Sequence, residues 1–171
     1  MRFFRFEKAT SYLFIFFDAD VLIRKLKTED QLEFLQKVTE VRCIIESEAA
    51  RYAAERADAV EIKAIQDCFE TLNATLADES RYDYTIYQKA DMAFHTAIMD
   101  ACHNELLAQI GHTMRQAVQT AREADVRELK VLRASLPFHR KMLLAIQNHD
   151  AAAAHLAART MFEQVWRSIP K

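Results

Sequence analysis

An all-α fold, a single antiparallel bundle of about six to seven helices, is what this sequence predicts. The first reason is a scarcity of turn formers: Gly111 is the sole glycine in 171 residues, and Pro137 and Pro170 are the only prolines. Tight turns between strands draw on residues that tolerate positive φ or fix φ, so a sheet has little here to turn on. The second is a succession of segments whose apolar residues return at three- and four-residue intervals. The third is composition, 51% hydrophobic and 28% charged, which suits one domain with a sizeable core.

Along the chain, residues 1–17 (MRFFRFEKATSYLFIFF) form an atypical apolar start with basic residues in it. The run from Tyr12 to Phe17 falls far short of the roughly 20 apolar residues of a membrane span. Asp18 and Asp20 follow where a cleavable signal needs small residues. Phe14, Phe16 and Phe17 are therefore expected to pack on the body of the domain or on a partner, with the functional domain spanning 18–171.

A short helix is predicted around Val21–Leu26, then a long one from about Asp30 to Ala54. Leu32, Leu35, Val38, Val41, Ile45 and Ala49 recur at helical spacing on the latter. Asp58 with Glu61 three residues on makes a capping box for the next helix, whose apolar face runs from Ile62 through Ile65, Phe69 and Leu72 to Leu76. Ser80 to Cys102 is helical by spacing and carries Tyr84, Tyr87, Met92, Phe94 and Ile98. Asn104 is placed to start another helix, with Leu107, Ile110, Met114 and Val118 inward. Charges crowd from Arg122 to Lys130, so a break is predicted near Asp125. The last two helices run roughly Leu129–Asn148 and Asp150–Ser168, with Pro137 bending or restarting the first.

Several functions are disfavoured. A formal charge of −2 and a pI near 6.3 leave no basic field for a phosphate backbone. Cys43, Cys68 and Cys102 are odd in number and lack C-x-x-C spacing, so they read as reduced thiols of a cytoplasmic protein. Gly-rich phosphate loops, H-E-x-x-H, nucleophile elbows and paired E-x-x-H signatures are missing from the sequence, and a non-enzyme is expected.

The histidines carry the remaining chemistry. His103, His112, His149 and His155 fall near helix ends or polar faces and read as solvated. Asp91 lies four residues before His95, which sets a carboxylate and an imidazole one turn apart on one helix face. Such a pair either chelates a divalent metal or is a hydrogen-bonded surface pair. His139 stands in an apolar helix beside Phe138 and reads by itself as a core histidine or a ligand.

Four short patterns, taken in order, resemble the effector (FCD) domain of FadR-type regulators in the GntR family. They are E-V-R-C-I-I-E at 40–46 leading into A-A-R-Y-A-A-E-R-A, then Asp91 with Phe94 and His95, then C-H-N-E-L-L at 102–107. The fourth is His139 opening H-x-x-x-x-x-A-I-x-x-x-D, filled by Ala145, Ile146 and Asp150. The resemblance implies a bundle with a central divalent metal ion (zinc, with manganese or nickel as alternatives) and a small carboxylic acid bound on it. Carried over residue by residue, Asp91, His95 and His139 become metal ligands, Arg42 the partner of the effector carboxylate, and Asn104 and Ser135 further pocket residues. A further family histidine is replaced here by Met161, a poor ligand for a hard or borderline ion.

The D-A-D-V-L opening, the A-A-E-R-A run and that methionine are most similar to the branch that represses sugar-acid catabolism, such as galactonate-operon repressors. The resemblance also implies a homodimer and a winged-helix DNA-binding domain ahead of this one, where the sequence offers only its Phe-rich start. Two other readings stay open: a structural dimerisation domain with a vestigial pocket, and a small metal-dependent enzyme using His95 or His139 as base. The discriminating feature is whether Asp91, His95, His139 and Arg42 converge on one cavity.

From the charge argument, this chain alone is expected to show no sequence-specific binding to DNA in fluorescence anisotropy at physiological salt. Sub-micromolar affinity for an operator duplex would contradict it.

Overall fold

Six α-helices and one short 3-10 turn make up nearly all of the described residues, 31–122 and 129–168, of this computed structural model. They are α1 (Gln31–Arg56), α2 (Ala59–Thr75), α3 (Tyr84–Ala101), α4 (Glu105–Arg122), α5 (Leu129–Gln147) and α6 (Ala151–Ser168). Among the described residues there is no strand, as the scarcity of turn formers requires. The apolar start at 1–17, the short helix at Val21–Leu26 and the break near Asp125 lie outside the described residues.

The 26-residue α1 is the central element, packing along α6 and touching α3, α4 and α5 as well. Its second half buries Ala49, Ala50, Ala53 and Ala54 completely. Side chains that small let neighbouring helices approach closely, and alanine costs nothing in helix propensity. The principal core then fills with Ile65, Phe69 and Leu72 of α2, Phe94 and Ile98 of α3, and Met142 and Ile146 of α5. None of the described helices is long and apolar enough to cross a membrane.

The caps explain where the helices begin. Asp58 accepts from the Val60 and Glu61 backbone N–H groups at 2.8 Å, and the Glu61 side chain accepts from the Asp58 N–H at 2.9 Å. This is the capping box that the sequence announces. The third helix starts at Tyr84 rather than near Ser80, because two aspartates cap in succession. Asp78 caps the 3-10 turn Glu79–Arg81, and Asp83 then accepts from Thr85 and Ile86. Pro137 neither ends nor restarts α5, which runs through it. Its ring lies on the exposed side of the helix, away from the core.

The two short connections α3–α4 and α5–α6 need a left-handed residue where glycine is the usual choice. With glycine almost absent, His103 (φ 51°) and His149 (φ 53°) fill these positions. Each imidazole holds a partner there: His103 the Glu61 carboxylate at 2.8 Å, His149 the Ala54 carbonyl at 2.9 Å.

On α1 the buried stripe departs from the apolar one. Val41 is 40% exposed, whereas Thr39, Arg42, Glu46 and Ser47 are buried. The helix turns polar side chains inward, toward the centre of the bundle.

Replacing Asp58 with alanine removes the capping box at an expected cost of about 1 kcal/mol. Thermal unfolding should register this as a fall of roughly 2–4 °C.

Candidate metal centre

Helices α1, α3, α4 and α5 each direct at least one polar side chain to a single point inside the bundle. Asp91 and His95 come from successive turns of α3, and His139 comes from α5 across the core. Both imidazoles are almost fully buried, and the Asp91 side chain remains partly open to the cavity. His139 Nε2 lies 3.1 Å from Asp91 Oδ1 and 3.2 Å from His95 Nε2, and His95 Nε2 lies 3.8 Å from Asp91 Oδ1. These three side chains are a group of the kind that holds a metal ion. The Phe94 ring meets both imidazoles edge-on, with centroids 5.3 Å away in each case, and so restricts how they turn.

The other nitrogen of each ring decides its protonation pattern. His139 Nδ1 is 3.0 Å from the Ser135 carbonyl oxygen, which only accepts, so Nδ1 carries the hydrogen. His95 Nδ1 lies 3.2 Å from Oε2 of Glu46. That carboxyl is held well below the usual carboxylate range: burial acts to raise it, and is outweighed by Arg115, Arg42 and His95. An ionised carboxylate facing His95 Nδ1 favours the hydrogen on that nitrogen. The two Nε2 atoms are left facing Asp91 Oδ1, all three within reach of each other. The centre is short of positive charge, which either a proton on a ring or a cation supplies.

Electrostatics keep His95 neutral. Burial first, and then the Arg115 guanidinium, push it down to about 4, although Glu46 and Asp91 pull the other way. Asp91 is likewise held below the ordinary range: burial opposes ionisation, but the neighbouring histidines and Arg115 overcome it. A neutral imidazole and an ionised carboxylate at neutral pH are the forms that ligate metals.

Behind this triad sits an ion cluster that the sequence reading did not single out. Glu46 Oε1 accepts from Arg42 Nε at 2.7 Å, and Oε2 accepts from Arg115 Nε at 3.0 Å as well as from a terminal nitrogen of Arg115. Arg115 also lies 3.6 Å from Asp91 Oδ2. Burial pushes the pKa of Arg115 down, but Glu46 keeps it paired. A usable signal existed for both residues. Glu46 closes the E-V-R-C-I-I-E segment one turn after Arg42, and Arg115 interrupts the inward run of α4 next to Met114.

A cavity of about 230 Å³ opens onto the triad. Arg42 and Ser135 line it, together with the aromatic rings of Tyr84, Tyr87, Phe138 and Phe162. The Arg42 guanidinium lies over the Phe162 ring, 5.0 Å from its centroid. Met161 also lines the cavity and is buried. Asn104 does not belong to it. That residue sits exposed at the start of α4, where its side-chain oxygen accepts from the Leu107 N–H at 3.1 Å. His112 and His155 face Asp100 and Glu48 away from the cavity.

Comparison with known proteins adds a family profile and several relatives. The FCD domain profile matches residues 37–164. The galactonate operon transcriptional repressor of Escherichia coli K12 is 27% identical over 155 residues, 90% of this chain and 66% of that protein. The HTH-type transcriptional regulator LutR of Bacillus subtilis is 33% identical over 99 residues, 57% of this chain and 41% of that protein. A putative L-lactate dehydrogenase operon regulatory protein of Escherichia coli K12 is 38% identical over 96 residues, 55% of this chain and 33% of that protein. The chain thus spans at most 66% of the length of these curated relatives. Among solved structures, Streptococcus agalactiae GntR superposes with a TM-score of 0.70 at 18% identity, over 82% of this chain and 61% of that one. E. coli McbR/YncC gives 0.67 at 16%, over 78% and 66%. At such identities the two structures speak for the fold alone.

Arg115→Met removes a buried partner from Glu46 and is expected to destabilise the protein by about 3–5 kcal/mol in urea unfolding. A loss below about 1 kcal/mol would show that the carboxylate is already satisfied without it.

Proposed function

The chain belongs to the FCD domain family, and from that premise we propose that it is the effector-binding domain of a GntR-type transcription regulator. In this reading Asp91, His95 and His139 hold a divalent cation, and a small hydroxy acid binds over it. One observation carries the proposal: His95 Nε2, His139 Nε2 and the partly buried Asp91 Oδ1 lie within 3.8 Å of one another, while Nδ1 of each imidazole is engaged by a different acceptor. Packing alone gives no reason for such an arrangement, because unpaired acceptors in low dielectric cost free energy. A cation removes the conflict.

The donor set fits the group. Two neutral imidazoles and one carboxylate, with no thiolate, suit zinc, with nickel or manganese as competitors in the same site. The Met161 thioether adds nothing for such an ion and serves as cavity lining. When bound, the cation supplies a Lewis acid on which a carboxylate and a neighbouring hydroxyl can chelate together.

The surrounding charges favour an anionic ligand. Arg42 and Arg115 balance Glu46 and Asp91, so the cation's charge stands uncompensated in the cavity. Arg115 is spent on the two carboxylates. Arg42 engages Glu46 through Nε, and its terminal nitrogens are left for a carboxylate at the cavity. The aromatic walls would cover the rest of a small ligand. Two of the relatives are named for operons of galactonate and of L-lactate dehydrogenase. Both acids carry a hydroxyl next to the carboxylate, and a sugar acid such as galactonate fits the chelation described.

A binding role fits better than catalysis. With Asp91, His95 and His139 committed to the cation and Glu46 to Arg42 and Arg115, none of them is left as an uncommitted general base. DNA contact then falls to another domain of the regulator, and the active species is a homodimer. The segment 18–171 acts as the sensing and dimerisation unit.

Metal analysis of the purified protein followed by a thermal-shift screen of hexonates, uronates and small hydroxy acids tests this. A ligand at a hundredfold excess over Kd stabilises by about 2.7 kcal/mol, a rise of several degrees. His95→Ala or chelation should abolish the acid response while helicity persists. Arg42→Ala should weaken the response and leave the metal in place. A full shift in metal-free His95→Ala would contradict the mechanism, and no shift with any acid in metal-loaded wild type would favour a vestigial pocket.

A further inference from the structure

Glu46 occupies the junction between the cation-binding and anion-binding halves of the site. Its side chain is only 4% exposed, yet all its polar contacts are made across or along helices within the cluster. Oε1 takes the Nε–H of Arg42 from the preceding turn of α1. Oε2 takes Arg115 from α4 and faces Nδ1 of His95 on α3. One carboxylate therefore touches three of the four helices that build the centre.

We propose that Glu46 is the positioning residue of this site: Oε2 fixes His95 as the Nδ1–H tautomer, and Oε1 holds the Arg42 guanidinium at the cavity. The proposal rests on reading the site as a metal-dependent acid sensor. Its physical basis is that a carboxylate offers only acceptors, and every group around Glu46 is a donor. Orientation of the carboxylate toward the Nδ1 of a ligating histidine also raises the basicity of its Nε2. Cation affinity and anion affinity then depend on the same side chain, although Glu46 is assigned to contact neither ligand.

An isosteric glutamine separates this role from simple packing. Its amide has one acceptor and one donor end, so it can serve Arg115 and His95 or serve Arg42, but not both. Either orientation also removes a negative charge from behind the ligand.

The experiment uses two readouts on the full chain. In chelator-treated protein labelled with ¹⁵N-histidine, long-range ¹H–¹⁵N correlation should show His95 with its proton on Nδ1 and a bare Nε2. Competition between zinc and a chromophoric chelator should show Glu46→Gln binding zinc about 10–100-fold more weakly than wild type, with helicity retained. A His95 proton on Nε2 in the wild type, or a loss of zinc affinity below tenfold, would overturn the assignment. Should the glutamine variant fail to fold, Glu46→Asp, which withdraws the charge from His95 by one methylene, is held to the same threshold. A wild type that binds no zinc would count against the metal reading instead, and the tautomer measurement would still decide the role of Glu46.

Discussion

The buried carboxylate of Glu46 is shared by two guanidinium groups and an imidazole, and the interior of this bundle is arranged around that sharing. Burying a charge without partners is far too costly for a domain whose whole stability is of order 10 kcal/mol. Once Glu46 points inward from α1, Arg115 of α4 and Arg42 must follow it, and their excess positive charge in turn accommodates Asp91. The positions of α1, α3 and α4 are thus coupled by electrostatics as well as by apolar packing. Stability alone does not account for such a cluster. Replacing buried ion pairs by well-packed apolar groups is often neutral or stabilising, so the proposed ligand binding supplies a reason for the charges that stability does not.

The apolar core does a different job. Ala49, Ala50, Ala53 and Ala54 let α1 lie close to its neighbours, while Phe94 seats both imidazoles edge-on. The metal-binding candidates therefore sit on rigid helices, with rotamers limited by packing and tautomers limited by hydrogen bonds. This is preorganisation: the donors need little rearrangement to receive a ligand. It also gives the three short distances of the triad their meaning. Aligned acceptors held together by a surrounding scaffold are a feature that the scaffold must stabilise from elsewhere.

Much of this could be read from the sequence, for identifiable reasons. The capping box at Asp58 and Glu61 is a local chemical signal, and its helix begins where that signal places it. The Asp91–His95 spacing put two donors on one face because helical geometry leaves no other option. What brings His139 to them is tertiary packing of α5 on α1, α2 and α6, which only the ordered resemblance to FCD domains suggested in advance. Arg115 and Glu46 escaped because a charged residue within a helix reads by default as solvated. The inward direction of Arg42 and Glu46 displaces the buried stripe of α1 from its apolar one, and Val41 is left outside. Asn104 carried two readings, helix start and pocket residue. A side chain whose oxygen accepts from Leu107 is placed by local geometry, whatever a pocket elsewhere demands.

The account turns on whether Asp91, His95 and His139 ligate one cation through the two Nε2 atoms. X-ray absorption at the zinc edge of the zinc-loaded protein tests this most directly. The account predicts the multiple-scattering pattern of two imidazoles at about 2.0–2.1 Å, completed by oxygen ligands and without sulfur. A sulfur shell near 2.3 Å, or a spectrum containing no imidazole, would contradict it.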